Sequence, residues 1–569
     1  MALLLFTSTI IRRFKEGNLS KQVVGNLSLS LVFHVREKTV KGPQKHLHEF
    51  TYDNCGNCIR EYDSGGSFED PNDDLEILTR FCNAEAPELS ISGLQGSPFS
   101  GFAINSKIHD RPHTRVVLTK TPVGAAGTPE TQLTETYYRY NYDGQFIEDA
   151  TWDEEKWLRN KYAYHPEHGS IISHKRADDS EVCYDYDEHG LLAKTSYKQV
   201  TDVDGNSQDL VLEVGHEFAT GLKLWEKDGR GYVTEYRYDK LGRQIAVVYP
   251  DEDDDLAWDP REGSSSSRAN NPQETVHFDD EANSSTVIDA LGNKSLFDYD
   301  SLGRLVQIIK YKQAGGDYLP LAITKLAYDA AGNVVRIEDP NGNATRYVYD
   351  GIGNLTATIY PDGTPNETDN PRETRFWDYN ANSVTIKDPR GKEKTQYLDA
   401  LGRAIREVQH GIFSGFTGPL VIGKQYDARG NVVQETDPRG KIKTSLYDHL
   451  NRLVEVRLPE DTFWEGGQTR LVRPIVRYGY DAVGNKVKEA QQLPDNSWQE
   501  TSYSYDQLGR LIKTQVPYTD HLGNPQVAMT KTYYDAANHK IKELDPNNAH
   551  LEQSEAKGTS YAYSPRGYL

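Results

Sequence analysis

Residues 328–350, YDAAGNVVRIEDPNGNATRYVYD, contain two turn signals and two short runs of strand-forming residues. Asp329 begins the first turn, and Gly332 stands where a hairpin loop of three to five residues needs a positive φ. The second turn, residues 339–343, includes a proline whose fixed φ suits the turn. Valine, isoleucine and tyrosine between the turns favour a pleated sheet. The stretch therefore predicts a β-hairpin unit that begins again at Tyr349, 21 residues after Tyr328.

The same pattern, Y-D-x-x-G-[RN] followed by a hydrophobic residue, recurs along most of the chain. Phe278 and Tyr299, like Tyr426 and Tyr447, are again 21 residues apart. The copies begin at Tyr52, Tyr186, Tyr238, Tyr299, Tyr328, Tyr349, Tyr397, Tyr426, Tyr447, Tyr480, Tyr505 and Tyr534. We interpret Leu398 as an insertion in its copy, and Asn538 replaces the glycine in the last one. So many copies in register predict a repeat architecture in which each unit contacts mainly its neighbours.

This pattern resembles the YD-repeat, or Rhs-repeat, family. The family includes bacterial Rhs proteins, the B and C components of insecticidal Tc toxins, wall-associated repeat proteins and, more distantly, teneurins. The resemblance implies an all-β fold in which repeated β-hairpins form a long β-sheet ribbon that spirals into a hollow shell, of which this chain would be a part. In the toxins the shell encloses a cytotoxic segment. The spacing by itself indicates only stacked β-hairpins.

Composition agrees with a thin-walled structure of large surface. The chain has 569 residues, 36% of them hydrophobic, and a mean hydropathy of −0.72. Its 36 tyrosines outnumber its 16 phenylalanines. Tyrosine suits a sheet with a wet face, because its ring packs while its hydroxyl stays hydrated. We therefore expect tyrosine to supply much of the apolar contact area.

The repeats divide the chain into two predicted regions. Residues 1–180 form an irregular β-rich region with degenerate repeats, and residues 181–569 form the regular YD-repeat region. Insertions interrupt the second region, notably at 253–273, which we expect to be a flexible, exposed loop. In the first region, 27–35 and 134–143 predict strands, whereas 73–81 fits a short helix because Leu75, Leu78 and Thr79 could share a face.

Charge and hydropathy exclude several classes of partner. The net charge of −21 and a pI near 5.3 argue against a nucleic-acid surface. The acidic runs at 71–76 and 251–255 read as solvated loops. Apolar runs are too short for a membrane span, and the N-terminal residues lack the features of a signal peptide. We expect a secreted or cell-surface protein whose export route is not evident.

One stretch is similar to a calcium-binding loop. Asp202, Asp204, Asn206 and Glu213 occupy positions 1, 3, 5 and 12 of such a loop. Position 6 is Ser207, where the sharp turn needs glycine. A polar hairpin tip explains the stretch as well, and both interpretations stay open.

The cysteines and histidines do not form a recognisable site. Four cysteines are too few for a disulfide scaffold, and zinc would need a second pair beside Cys55 and Cys58. The other two are Cys82 and Cys183. His109 and His113 are four residues apart, but the intervening Pro112 argues against the helix that would align them.

No catalytic motif is found, and the repeated aspartates are explained by turn capping. Asp-Pro-x-Gly sequences begin at Asp339, Asp388 and Asp437. They match the letters of the autocleavage site in toxin-bearing relatives, but further repeats follow them, so they read as turns. We predict no catalytic, cofactor-binding or metal-binding residues and no enzymatic activity.

The sequence leaves three functional hypotheses of different kinds. The first is a structural wall segment of an Rhs/Tc-type toxin shell, with a cargo polypeptide or the remaining shell segments as partners. The alternative is a cell-surface adhesion or carbohydrate-binding repeat protein, with aromatic side chains beside carboxylates contacting glycans. The third, a glycoside hydrolase, would need two carboxylates paired in one cleft.

Overall fold

The computed structural model describes residues 19–22, 30–41, 44–52, 57–64, 75–81, 95, 111–121, 130–141, 143–252, 268, 270–364, 368–411, 418–465, 468–550 and 557–568. Within these ranges the chain forms 41 strands and no α-helix. The sequence therefore predicted the all-β class correctly.

The strands are, in chain order, β1 Leu19–Gln22, β2 Ser30–Lys41, β3 Gln44–Tyr52, β4 Cys58–Asp63, β5 Leu75–Phe81, β6 Pro112–Thr121, β7 Glu130–Tyr140, β8 Phe146–Trp152, β9 Trp157–Tyr164, β10 Ile171–Lys175, β11 Glu181–Tyr186, β12 Leu192–Thr201, β13 Ser207–His216, β14 Lys223–Lys227, β15 Val233–Tyr238, β16 Gln244–Val248, β17 Gln273–Asp279, β18 Ser284–Ile288, β19 Lys294–Tyr299, β20 Leu305–Ala314 and β21 Asp317–Tyr328. They continue with β22 Val334–Glu338, β23 Ala344–Tyr349, β24 Leu355–Ile359, β25 Arg372–Asp378, β26 Ser383–Lys387, β27 Glu393–Leu398, β28 Ala404–Gln409, β29 Leu420–Tyr426, β30 Val432–Thr436, β31 Ile442–Tyr447, β32 Leu453–Arg457, β33 Asp461–Glu465, β34 Gln468–Val472, β35 Ile475–Tyr480, β36 Lys486–Gln492, β37 Trp498–Tyr505, β38 Leu511–Thr519, β39 Pro525–Tyr534, β40 Lys540–Leu544 and β41 Thr559–Ser560.

Thirty-nine of the strands belong to one antiparallel sheet in which sequence neighbours pair. The exceptions, β33 and β34, pair only with each other, and β32 pairs directly with β35 across this inserted hairpin. The sheet continues from β10 through β11 to β12, across the predicted boundary at residue 180. The division into two regions remains a prediction.

Each Tyr-Asp turn follows a bulge at the end of its strand. Tyr349 pairs with Leu355, and the register shifts between Val348 and Tyr349. The turn reverses the chain with Gly353 at a φ of 90°, a conformation that glycine adopts without strain. Where asparagine replaces this glycine, Asn451 and Asn538 have φ values of 67° and 70°. The sequence predicted this hairpin geometry correctly.

Because the strands alternate in direction, the turns lie on two opposite edges of the ribbon. The Tyr edge is the row of turns that follow the Tyr-Asp strands, such as 329–333, 350–354 and 427–431. The far edge is the row of intervening turns, such as 153–156, 202–206 and 339–343. Both edges consist mainly of turns in which Asp or an equivalent residue accepts main-chain hydrogen bonds.

The structure corrects three sequence predictions. Residues 75–81 are strand β5, paired with β4 and β6, because pairing on both sides outweighs the local helical pattern. Leu398 pairs with Ala404 at the bulge position, so it replaces the tyrosine of its repeat and is not an insertion. In the expected loop at 253–273, Arg268 and Asn271 are buried, and residues 253–267 and 269 lie outside the described residues.

Few side chains in the described ranges are sequestered from solvent. The fully buried side chains of the described residues include Leu544, His449, Glu135, Val116 and Ser64. These are scattered along the ribbon, so the fold is a wall one sheet thick rather than a layered core.

Candidate functional site at the seam between windings

The aspartate of each Tyr-Asp turn closes its own loop. In the turn at Asp329, Oδ1 accepts hydrogen bonds from the main-chain N–H groups of Ala331 and Asn333, each at 2.9 Å. Oδ2 accepts a third bond, from Asn333 Nδ2 at 2.9 Å. These bonds, led by the one from the Asn333 side chain, lower the pKa of Asp329. The carboxylates are therefore occupied as turn caps, as the sequence predicted.

Arginine copies of the turn also hold the next turn along the Tyr edge. Arg304 Nε donates to Asp300 Oδ2 of its own turn at 2.7 Å. Its guanidinium carbon lies 4.7 Å from the centre of the Tyr328 ring, and Nη1 donates to Asp329 O. The same arrangement occurs at Arg403 with Tyr426, Arg452 with Tyr480, and Arg510 with Tyr534. The arginine guanidinium thus joins successive turns, because it donates to both of them and stacks on the tyrosine ring of the second.

The tyrosines contribute a second bond between hairpins. The Tyr328 hydroxyl donates to Leu305 O at 2.8 Å, and the Tyr349 hydroxyl donates to Val334 O at 3.1 Å. Equivalent bonds are made by Tyr186, Tyr238, Tyr426, Tyr480, Tyr505, Tyr534 and Tyr563. Each of these hydroxyls donates to a main-chain carbonyl, a bond that the sequence did not predict. This bond explains why the position prefers tyrosine to phenylalanine.

The ribbon curls until it meets itself. Residues 134–232, in the first winding, contact residues 429–565, in the second, through partners that are 295 to 335 positions apart in the sequence. The contact joins the far edge of the first winding to the Tyr edge of the second. We call this edge-to-edge contact the seam.

His449 lies at the beginning of the seam and is only 2% exposed. Its Nε2 is 2.7 Å from Trp152 O, and because a carbonyl can only accept, Nε2 donates this bond. Its Nδ1 is 3.2 Å from Glu154 Oε1. The His449 carbonyl accepts hydrogen bonds from Thr134 Oγ1 and Arg429 Nη1. One residue of the second winding is thus bonded at both its main chain and its side chain.

Gln507 makes a second contact across the seam. Its Oε1 accepts from the Thr201 main-chain N–H at 2.7 Å, and its Nε2 donates to Thr201 Oγ1 at 3.3 Å. Its carbonyl accepts from the Arg176 guanidinium. Gln507 is the residue that follows the aspartate in its Tyr-edge turn, which is also the position of His449.

The tip of the β12–β13 hairpin, residues 201–206, forms the third contact. Asp204 Oδ1 is 2.7 Å from Lys531 Nζ, and Oδ2 accepts from the Tyr533 hydroxyl at 2.8 Å. Tyr533 is 3% exposed. Beside this ion pair, Val203 packs against a cluster formed by Tyr533, Leu544 and Ala549. Polar and apolar contacts therefore both hold the tip.

The last contact brings two main chains together. A Cβ atom on Gly229 would lie 2.3 Å from Ala536 O, so only glycine fits at this point of the seam. The neighbouring Arg230 donates to Ser564 O at 3.3 Å and to Pro565 O at 2.8 Å. These residues were not recognised as a site from the sequence, because their partners are more than 300 positions away.

A cluster of titratable groups on β14 and β15 has a structural explanation. Tyr236 donates a hydrogen bond to Glu226, and Lys223 Nζ is 2.8 Å from Glu226 Oε2. Burial, followed by the bond to Glu226, raises the pKa of Tyr236 to about 12. Tyr236 therefore stays a hydrogen-bond donor at neutral pH.

The structure does not bring the four candidate calcium ligands together. Asp202 caps the hairpin tip, where Oδ1 and Oδ2 accept from the main chain and side chain of Asn206, each at 2.9 Å. Asp204 belongs to the seam. Glu213 lies seven residues from Asn206 along β13, which is about 23 Å at the rise of a strand. In the described ranges, no group of three or more His, Cys, Asp or Glu side chains could hold a metal ion.

The other candidate residues occupy ordinary positions in strands and turns. Cys58 and Cys183 are free thiols, and Cys55, Cys82 and His109 lie outside the described residues. His113 is on strand β6, and burial, followed by Arg80, lowers its pKa to about 4. The Asp-Pro-x-Gly aspartates cap far-edge turns that lead into further strands, as predicted: Asp339, Asp388 and Asp437.

Comparison with known proteins supports the class defined by this geometry, a continuous ribbon of capped β-hairpins. The RHS Repeat family model matches residues 328–365 and 426–462. No curated protein matches the sequence. The chain thus contains RHS repeats, and the resemblance to the YD-repeat, or Rhs-repeat, family is confirmed.

Solved structures with a similar fold are Tc toxins. The Photorhabdus luminescens Tc holotoxin pore has 14% sequence identity and a TM-score of 0.60, and the match covers 95% of this chain and 27% of that chain. TcdB2-TccC3 without its hypervariable C-terminal region has 13% identity and a TM-score of 0.62, with the same coverages of 95% and 27%. At this identity the likeness shows the fold. This chain spans about a quarter of the length of those chains.

A membrane-spanning helix is not found in the part of the chain that the structure describes.

Proposed function

We propose that this chain is a wall segment of a secreted Rhs/Tc-type toxin shell that encloses a cargo polypeptide, and that it has no catalytic role of its own. The observation that carries the proposal is the seam. A ribbon one sheet thick that returns to its own edge after about one winding of 295 to 335 residues surrounds a space. The likeness to Tc toxin structures supports the same reading.

The seam joins successive windings through the ends of their hairpins. Here the strands end in capped turns, and the turns of one winding meet those of the next through ion pairs, main-chain bonds and close packing. A closed wall can therefore form without a layered core.

The charged side chains along the strands suit a wall that holds a polypeptide loosely. Lys486 Nζ is 2.7 Å from Glu489 Oε2 and lies over the ring of Tyr503, 4.9 Å from its centre. Lys540 repeats the arrangement with Glu543, at 2.6 Å, and with the Tyr561 ring. Ammonium groups that cover aromatic rings in this way leave few apolar patches on that face of the ribbon.

Protection of a resident polypeptide tests the proposal. The native gene product is purified, its intact mass is measured and both termini are mapped by peptide mass spectrometry. We expect a non-repeat polypeptide that stays with the shell and resists protease. Opening the seam by Gly229→Ala should make it digestible, whereas Gly351→Ala, on an open turn, should leave it protected. A product that contains only repeat segments, or a non-repeat polypeptide digested equally in all samples, contradicts enclosure.

One observation favours the alternative of a glycan-binding surface. The Tyr379 ring is 53% exposed, and its hydroxyl donates to Asp350 Oδ2 at 2.7 Å. Phe376, nearby in sequence, is 69% exposed. Exposed aromatic rings beside a carboxylate are suited to polar ligands with apolar faces. Glycan-array binding that is lost in Tyr379→Ala and kept in Tyr518→Ala would support this function, and no binding by the wild type would reject it.

A further inference from the structure

The side chains of the ribbon alternate between two faces, because successive residues of a strand point in opposite directions. The tyrosine face carries the repeat tyrosines, such as Tyr349, whereas Arg346 and Val348 lie on the opposite face. Directly paired residues of neighbouring strands share a face. The register of β22–β32 and β35–β40 therefore assigns each charged residue of these strands to one face.

The two faces differ in charge over these strands. The tyrosine face has six Lys or Arg residues and five Glu residues, whereas the opposite face has eleven Lys or Arg residues against five carboxylates, an excess of six positive charges. In β22–β28 the cations of the opposite face are Arg336, Arg346, Arg372, Lys387 and Arg406. In β32–β40 they are Arg457, Arg477, Lys488, Lys513, Lys531 and Lys542. A chain with a net charge of −21 thus presents a basic surface on one face of its ribbon.

The five carboxylates of this basic face are engaged within the chain. Glu338, Glu393, Glu455 and Glu500 each pair with a cation of the same face, and Asp378 caps its turn. Because the carboxylates are fewer than the cations and are already bound, the excess positive charge is available to an anionic partner.

Three of the cations fall in register and form what we call the arginine row. Arg336 on β22 pairs directly with Arg346 on β23, and Arg346 is aligned through Ile359 with Arg372 on β25. At the spacing of neighbouring strands the row is about 15 Å long. Like charges placed opposite each other destabilise a sheet. An anionic group that lies along the row would remove this cost.

The arginine row is accessible and keeps donor capacity. Arg346 and Arg372 are exposed. Arg336 Nη1 is 2.7 Å from Glu338 Oε2, but Arg336 Nε is buried and makes no hydrogen bond. Arg372 Nη2 donates to Thr368 O at 2.7 Å, which holds the guanidinium at the surface. A guanidinium binds a carboxylate through two parallel hydrogen bonds, so the row suits carboxylates in particular.

Apolar side chains on the same face favour a polypeptide as the anion. Val348 is 44% exposed and lies two residues after Arg346, and Phe376 is 69% exposed and lies four residues after Arg372. A nucleic acid fits less well, because the net charge of −21 and the aspartate caps along both edges repel a chain of phosphates. A segment that carries both carboxylates and apolar side chains matches both features of the surface.

We propose that the arginine row, with Val348 and Phe376 beside it, binds an acidic polypeptide segment. The carboxylates of the segment lie along the three guanidinium groups, and its apolar side chains contact the valine and the phenylalanine. The proposal goes beyond the wall function and does not depend on whether the shell holds a cargo.

Fluorescence anisotropy of labelled poly-L-glutamate, titrated with the purified chain, tests this surface. At low ionic strength we expect saturable binding that weakens as salt is added. Arg346→Gln and Arg372→Gln should each weaken binding about threefold, and the double variant about tenfold, because each substitution removes one exposed charge pair. Lys394→Gln changes the net charge equally but lies on the tyrosine face, so it should bind like the wild type.

Unfolding midpoints equal to the wild type would confirm that the variants are folded, and Arg346→Lys, which keeps the charge, should bind within about twofold of the wild type. A wild type that does not bind polyglutamate at low ionic strength overturns the proposal, as does an equal loss in Lys394→Gln and Arg346→Gln. Tighter binding of a single-stranded DNA of equal charge would reject a polypeptide as the partner. None of these outcomes bears on protease protection of a cargo, so the two proposals fail separately.

Discussion

The Tyr-edge turns at 427–568 and those at 239–354 have the same construction but different neighbours. In both regions aspartate caps the loop, tyrosine bonds to the preceding hairpin and arginine stacks on the next tyrosine. The residues between aspartate and glycine differ. In the turns at the seam, the residues at these positions include four that contact the first winding: His449, Gln507, Ala536 and Pro565.

On the open turns the corresponding positions face solvent. Leu241 is 74% exposed, and Leu302 and Ile352 are each 75% exposed. The recurring residues of the repeat therefore form the ribbon. The two variable residues between the aspartate and the glycine determine what each turn contacts. The comparison predicts that substitutions at matched positions will have unequal effects in turns that contact another winding and in open turns, on either edge of the ribbon. Substitutions of the tyrosine, which bonds within one winding, should have equal effects.

The largest difference is expected between two glycines that directly follow the aspartate of their turns. Gly229→Ala places a methyl group against Ala536 O and should lower the free energy of unfolding by about 3 kcal/mol, the upper end for overpacking. Gly351→Ala meets no atom within 4 Å and should change it by less than about 0.5 kcal/mol. Urea unfolding monitored by circular dichroism measures both. Equal effects would mean that the seam is not closed in solution.

A smaller difference in stability is expected between substitutions at two hairpin tips, residues 201–206 between β12 and β13 and residues 519–524 between β38 and β39. Asp204→Ala removes the carboxylate shared by Lys531 and Tyr533 and should cost about 2 kcal/mol, because these polar groups are desolvated. Leu522→Ala, at the open tip, should change stability by less than about 0.5 kcal/mol. The same unfolding experiment, at protein concentrations where the chain is monomeric, compares them. A loss in Leu522→Ala as large as that in Asp204→Ala would contradict the assignment of open and docked tips.

The tyrosine bond should be worth the same in both regions. Tyr349 and Tyr534 each donate to a carbonyl at 3.1 Å, the first on an open turn and the second in the seam. Tyr349→Phe and Tyr534→Phe should each cost about 1 kcal/mol, the net value of one hydrogen bond. Thermal unfolding midpoints of the two variants provide the measurement. A loss of stability in Tyr534→Phe but not in Tyr349→Phe would show that the tyrosine bond stabilises the fold only where two windings are in contact.

The smallest effect is a change in acid stability. The hydrogen bond from Tyr379 is the main cause that lowers the pKa of Asp350 to about 2. Because this pKa is below that of the unfolded chain, the stabilisation is complete above about pH 4 and is lost as the pH falls toward 2. Asp350→Asn should flatten the pH dependence of the unfolding midpoint in this window, and Tyr379→Phe should flatten it partly. Curves parallel to the wild type would show that the bond does not form in solution.

Local chemistry made much of the ribbon predictable. Asp329, Gly332 and the strand formers around them specify a capped hairpin within a few residues, and the structure has it. The sequence shows arginine in some copies and asparagine in others, but the role of the arginine requires knowing that Arg304 reaches the Tyr328 ring of the next turn. The tyrosine hydroxyl bond was missed for the same reason.

The seam could not be predicted, because no local period joins residues 300 positions apart. In the sequence Gly229 resembles the other turn glycines, and Asp204 fits either a calcium loop or a polar hairpin tip. Only the winding of the ribbon places Ala536 and Lys531 beside them. Strand β5 was predicted as a helix because its partners on both sides come from outside the segment. Long-range pairing, which spacing does not encode, decided each of these positions.

Small-angle X-ray scattering of the monomeric chain tests most directly whether the ribbon encloses a space. A solid globular domain of this length would have a radius of gyration of about 25 Å. The wall described here predicts a clearly larger radius and a pair-distance distribution with its maximum shifted to long distances, as for a hollow particle. A radius near that of the solid domain, with the symmetric distribution of a compact globule, would contradict a hollow wall.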